Sequence, residues 1–301
     1  MVIRLKNFII YLTFDVDQDF SLAEQDYYNR DQAIFSGFTE GLPKIIKILN
    51  GVPFSVFLRA DYQIKKIYGA YDYLITNYRD IIRDIRKNYG EINWHIHIYK
   101  EENNSWIQIL DENEILSRFN EDIDYVRKIK ELNSHIVRIG ECVMNNKLMK
   151  ALNEQNICID STALPGRKRN DQEKFFDWEI TDNTFYHPSK GDYRIRDNNN
   201  YSLLEAPMTT IEMKADYDKQ PFRRYINLSF KTEILFQNLE NYIQDNDWLM
   251  TITHPFEILN KGSHGLISYD INVFEKNLKL LIEVIEKAGK VPVFKKVGDI
   301  L

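Results

Sequence analysis

Two pairs of residues, each pair split by a single position, carry the chemistry open to this sequence. Asp15 and Asp17 follow Phe8–Phe14, a run of seven residues in which only Thr13 is polar. His95 and His97 lie in the stretch EINWHIHI, Glu91–Ile98. Along a strand, positions i and i+2 face the same side, so each pair presents two like groups to one place. Two imidazoles so placed can chelate zinc. Adding one carboxylate gives a two-His, one-Asp set with positions left for water, a catalytic pattern and not a structural one. The remaining carboxylate can then take a proton from water. The spacing alone leaves open which aspartate does which.

Further polar residues stand at the ends of apolar runs. Arg138 lies in Ile136–Ile139 and can hold the free carboxylate ionised and oriented. His254 follows Trp248–Thr253 and precedes Pro255, which disfavours helix at His254 and fixes the exit from that strand. It is a candidate acid for a leaving group. Arg59 and Asp61 follow Pro53–Leu58, a position that suits either substrate contact or an ion pair on the rim. Asp160 follows Ile157–Ile159.

The elements that must position these groups alternate. Buried strands are expected at Phe8–Phe14, Pro53–Leu58, Glu91–Ile98, Ile136–Ile139, Ile157–Ile159, Leu203–Ala206, Tyr225–Phe230, Trp248–Thr253 and Val291–Phe294. Helical spacing occupies Leu42–Leu49, Ala70–Lys87, Asn113–Leu132, Asn145–Glu154, Lys231–Ile243 and Tyr269–Lys287. Such alternation implies an α/β fold with a mostly parallel sheet, and the length suits a closed or nearly closed barrel. In a barrel the C-terminal strand ends share one face, where active sites sit. That so many polar residues fall at strand ends points to an enzyme. Ser161–Ser202, rich in Asn, Asp, Arg, Lys and Tyr, breaks the pattern and reads as an excursion over that face. Phe20–Phe38 reads as a loop covering one end. No repeat or linker divides the chain, so 1–301 is expected to be one domain.

With 44% hydrophobic residues the chain can bury a real core. A net charge of −6 without a basic block argues against nucleic acid as a partner. No apolar run reaches membrane-spanning length. The N-terminal apolar run flows into acids and not into a cleavage site, so it reads as a core strand of a cytoplasmic protein. The spacing of Cys142 and Cys158 neither supports nor excludes a disulfide. A homo-oligomer is compatible with the composition.

The chain resembles the polysaccharide deacetylases with a NodB homology domain, the family-four carbohydrate esterases. Thr13-Phe14-Asp15-Val16-Asp17 looks like their first motif, TFDD or TFDxD. Trp94-His95-Ile96-His97 stands where the histidine motif belongs, Arg138-Ile139-Gly140 looks like the third, and Thr253-His254-Pro255 looks like the last. Asn145–Thr162 resembles the helix and strand that follow the third motif. The resemblance implies a distorted (β/α)7 barrel and a divalent-metal hydrolase, most naturally with zinc, that deacetylates an N-acetylated sugar or a sugar-containing precursor of surface polysaccharide. By that analogy Asp15 is the base, Asp17 a ligand beside His95 and His97, Arg138 the base's partner and His254 the acid. Arg59, Asp61, Asp160 and Trp178 are expected to contact substrate, Asp177-Trp178 or Asp160 standing in for the family's fourth motif. Two departures stand out. The family spaces its histidines four apart, not two, and Gly140 occupies the place of a proline. Two other readings remain: a hydrolase of small non-sugar amides or imides, and a barrel that binds glycans without catalysis.

Overall fold

The structure is a computed structural model that describes residues 6–18, 35–103, 105–259 and 265–301. Most of the expected covering loop at Phe20–Phe38 lies outside the described residues.

In chain order the main elements are β1 (Lys6–Val16), α1 (Leu42–Leu49), β2 (Phe54–Arg59), α2 (Tyr62–Tyr68), α3 (Arg79–Lys87), β3 (Gly90–Ile96), α4 (Glu112–Val126), β4 (Asn133–Ile139), α5 (Asn146–Glu154), β5 (Ile159–Asp160), β6 (Leu204–Glu205), β7 (Trp248–Thr253), α6 (Ile271–Lys287) and β8 (Lys290–Lys295). The strands form one parallel sheet in the order β6-β5-β4-β3-β2-β1-β7, with β8 paired to the first half of β1. The sheet curls into a distorted (β/α) barrel. Between β6 and β7 the ring is bridged irregularly: the Thr209 N–H donates to the Met250 carbonyl at 3.3 Å and the Met250 N–H to the Thr209 hydroxyl at 2.9 Å. A short irregular segment in place of a full strand accounts for the distortion.

Alternation along β1 builds both sides of the wall. Phe8, Ile10, Leu12, Phe14 and Val16 pack outward into the apolar layer shared with the helices. Tyr11 points the other way, into a smaller cluster with Phe57, Ile136, Ile159, Met250 and Val297 that fills the curl. Thr13 and Asp15 continue on that inner face. The interior is therefore apolar at one end and polar at the other, and the polar end is where the strands terminate.

Helix starts are set by side-chain caps at Asp61, Asp111, Asn145 and Asp270, each accepting a hydrogen bond from a backbone N–H of its helix. Three expected elements differ, one of them the helix read over Lys231–Ile243, which is broken into Thr232–Leu235 and Leu239–Asp245. The helix read over Ala70–Lys87 is split into Tyr73–Asn77 and α3, because Tyr78 leaves helical geometry (φ −122°, ψ 44°) with its ring edge-on to Phe38. The strand read over Tyr225–Phe230 lies earlier, at Phe222–Tyr225, paired with Thr210–Met213. Past it the Asn227 side chain accepts from the Ser229 N–H at 2.9 Å, an Asx turn that ends extended pairing.

Candidate metal and catalytic site

At the polar end of the barrel Asp15, Asp17, His95, His97, Arg138 and His254 all line one cavity of about 340 Å³. Strands β1, β3, β4 and β7 deliver them, the sequence-adjacent pairs because Val16 and Ile96 occupy the outward positions between them. A register shift between β3 and β4 falls at Asn93/Trp94, immediately before the histidines, and re-aims the strand end.

Asp17, His95 and His97 form a buried group able to hold a metal ion. Asp17 Oδ1 is 3.1 Å from His97 Nε2 and 3.5 Å from His95 Nε2, and the two Nε2 atoms are 3.2 Å apart. A tetrahedral ion with bonds of about 2.0–2.1 Å sets its donors about 3.3 Å apart, so the three atoms match one face of such a tetrahedron. His95 Nδ1 lies 2.8 Å from the Arg138 carbonyl, which can only accept; its proton therefore sits on Nδ1 and the Nε2 lone pair faces the cluster. Burial alone would push the Asp17 carboxyl up, but His97 and His95 outweigh it and hold Asp17 well below the usual carboxylate range. Burial, aided by Arg59, pushes His97 down, toward the neutral form a ligand needs.

The two-residue histidine spacing is made workable by Gly140. A Cβ at that position would stand 2.2 Å from His97 Cδ2 and 2.3 Å from its Nε2. Any side chain there, proline included, would evict the imidazole from the cluster. Gly140 opens a turn in which Glu141 and Cys142 both have φ of 58°, a strained conformation for residues with side chains, and all three line the cavity.

Asp15 is set apart from the ligand group by Arg138, which donates from Nη1 to Asp15 Oδ1 at 2.6 Å and to Thr13 Oγ1 at 2.8 Å. The remaining nitrogens of Arg138 reach the Ser161 carbonyl and hydroxyl, both at 2.9 Å, and the guanidinium lies 4.0 Å from the centre of the Phe57 ring. His254 stands opposite, its Nε2 3.7 Å from Asp17 Oδ2. Its Nδ1 is 3.2 Å from Glu257 Oε1, while Glu257 Oε2 accepts from the His254 backbone N–H at 3.1 Å and from Asn227 and Ser229, both at 2.8 Å. Burial alone would lower the imidazole's pKa; Glu257, with Asp17 and Asp15, overrides it and pushes it up to about 9.

Four expected substrate contacts lie elsewhere. Arg59 and Asp61 are buried and do not line the cavity. Arg59 pairs with Asp61 at 2.5 Å and approaches Asp17 at 3.4 Å, and Asp61 caps α2 and accepts the His97 N–H at 3.1 Å. They brace the ligand group from behind because their strand end is covered by α2. Asp160 is fully buried, hydrogen-bonded to Thr162 and facing Glu205 across β5 and β6. Trp178 is fully buried and donates to the Cys142 carbonyl at 2.9 Å, supporting the cavity wall from outside. Glu257 is a site residue outside the sequence expectations, although its place three residues after His254 matches the N3 position of a capping box. The apolar lining comes from Leu164, Met208, Ile252 and Ile267, which no local sequence pattern sends to one cavity.

No family model matches the chain, and no curated protein does. Solved structures do. One, from Mycobacterium smegmatis, is provisionally assigned as a polysaccharide deacetylase; it is 15% identical with a TM-score of 0.54, covering 97% of this chain and 95% of that one. A 4-alpha-glucanotransferase from Thermococcus litoralis aligns over 97% of this chain and 37% of its own, at 12% identity and a TM-score of 0.49. A protein from Bordetella bronchiseptica, provisionally assigned as a polysaccharide deacetylase involved in O-antigen biosynthesis, aligns over 92% of this chain and 82% of its own, at 13% identity and a TM-score of 0.38. The first of these likenesses shows the fold alone: this chain shares that protein's curled, distorted (β/α) barrel.

Proposed function

We propose that the protein is a metal-dependent hydrolase that removes the acetyl group from the nitrogen of an acetamido sugar, as part of a surface-polysaccharide precursor handled in the cytoplasm. One observation carries the reading: a tetrahedral face of buried donors shares a small cavity with a carboxylate held by arginine on one side and an imidazole held by glutamate on the other. The N, N, O donor set suits zinc. A bound divalent ion would supply Lewis acidity toward water and an acyl oxygen.

The chain's own residues divide the rest of the work. Asp15, fixed by Arg138, accepts the proton of the attacking water. His254 is charged at neutral pH and carries its mobile proton on Nε2, because Nδ1–H is committed to Glu257. It is therefore placed to protonate the amine, which leaves poorly without a proton. Asp15, Asp17, His95, His97 and Arg138 are buried while His254 stays partly open to solvent, and burial strengthens the interactions among the first five. The aliphatic and aromatic walls suit the acetyl methyl and one face of a pyranose. Both cysteines are free, which agrees with a reducing compartment.

The test is to purify the protein, measure its metal by elemental analysis, and assay acetate release from a panel of N-acetylated sugars and cyclic imides. Bound zinc with turnover of acetamido sugars is expected. Turnover of imides alone would replace the reading by the non-sugar amidase. Glycan binding without bound metal or turnover would replace it by a binding barrel.

A further inference from the structure

We propose that a second cavity beside the catalytic one binds an oxyanion of the substrate, phosphate or carboxylate, on the guanidinium of Arg167. This rests on the deacetylase reading and narrows its substrate to acetamido sugars whose attached group is negatively charged.

The second cavity, of about 530 Å³, is lined by Arg167, Arg224, Tyr217, Tyr225 and Phe230, and it shares Tyr225 and Ile267 with the catalytic cavity. The catalytic cavity has room for about one sugar residue. Whatever the sugar is attached to must leave it, and the common wall at Tyr225 and Ile267 is one such exit.

Charge is distributed unevenly around the second cavity. Arg224 is neutralised by Asp218 through contacts of 2.6 and 2.8 Å. Nearby, Arg169 pairs with Asp171, Lys168 with Glu179, Lys174 with Glu141 and Arg194 with Asp177 and Asp192. Among the described residues no carboxylate lies within ion-pair distance of Arg167. One of its terminal nitrogens donates to the Arg223 carbonyl at 2.8 Å, and its guanidinium lies 3.9 Å from the centre of the Phe222 ring. Burial presses its pKa down, and the Arg224 charge adds to that. An oxyanion would relieve both effects.

The arginine is also held firmly. Gly166 donates to the Trp178 carbonyl at 2.9 Å, and Trp178 donates back to the Arg167 carbonyl at 2.8 Å. Trp178 in turn grips Cys142 of the catalytic cavity. A guanidinium backed by an aromatic face, on an anchored backbone and with donors to spare, is preorganised for bidentate recognition of an oxyanion.

Isothermal titration of the full-length, metal-loaded protein tests this with four probes: N-acetylglucosamine, its 1-phosphate, its uridine diphosphate ester, and a disaccharide joining it to a uronic acid. Wild type should bind at least one charged probe roughly tenfold or more tighter than the neutral sugar. The margin should vanish in Arg167→Gln, with the neutral sugar's affinity unchanged, and return in part in Arg167→Lys. Which charged probe holds the margin identifies the source: a simple phosphate, a nucleotide or an acidic glycan. Equal affinities for all probes, no binding of any charged probe, or a margin that survives in Arg167→Gln at unchanged melting temperature would overturn the proposal. A charge margin without acetate release from any probe would leave the anion site standing and reject the deacetylase reading. Acetate release without a margin would do the reverse.

Discussion

Replacing Gly140 by alanine isolates one structural claim, that the close histidine pair works only because nothing projects from position 140. The new methyl would sit 2.2 Å from the His97 ring. An ordinary carbon contact needs about 3.5 Å, so the ring or the turn must retreat by about 1 Å. Metal ligands tolerate displacements of about 0.2 Å. Backbone movement is hindered, because the turn is tied by Trp178 to Cys142 and by Tyr99 and Lys174 to Glu141. The imidazole is therefore the part expected to yield, and with it one of three protein ligands. Zinc affinity, measured by competition with a chromophoric chelator, should fall by about tenfold to a hundredfold. Acetate release at limiting zinc should fall with it. Melting without metal should change little, since the clash is relieved by a ring at the cavity wall. Wild-type zinc affinity in Gly140→Ala would refute the reasoning and remove His97 from the ligand group.

Three other outcomes follow from the same geometry. Asp15→Asn should keep its metal and lose on the order of 10²-fold or more in kcat, whereas Asp17→Asn should lose metal and activity together; elemental analysis beside acetate release checks both, and the opposite pattern exchanges base and ligand. Glu257→Gln should lower kcat about tenfold or more at unchanged metal content and melting temperature, because His254 loses the carboxylate that charges and orients it; an unchanged kcat would rule out that pairing. Among the described residues no cation is bonded to the buried pair Asp160 and Glu205: burial raises Asp160 to about 6, and burial with Asp160 raises Glu205 well above its ordinary value. The folded state thus holds protons that the unfolded chain gives up near pH 4. Their contribution is full below pH 4 and is lost as pH rises through the raised values. Glu205→Gln, which can still donate to Asp160, should flatten the decline in urea midpoint above about pH 5, and a profile parallel to wild type would contradict the shared proton.

What the sequence determined by itself was whatever alternation and helical period dictate. A buried run ending in Asp-x-Asp and another carrying His-x-His place like groups on one side of a strand whatever surrounds them, and the regular succession of strand and helix set the class of fold. Capping is equally local, and Glu257 was within reach of the same logic. Pairing was not. Arg138 meets Asp15 across 123 positions and so distinguishes two aspartates that look alike in sequence. Arg59 and Asp61 stand at a strand end like the others, yet α2 closes over them and they brace the site without facing the cavity. Asp160 is taken up by Glu205 because β5 and β6 are neighbours, a fact of sheet order. The reason for glycine at 140 exists only once β3 and β4 lie side by side and an imidazole occupies the space a Cβ would need. Strand geometry fixes which way a side chain points; only the assembled barrel decides what it meets there.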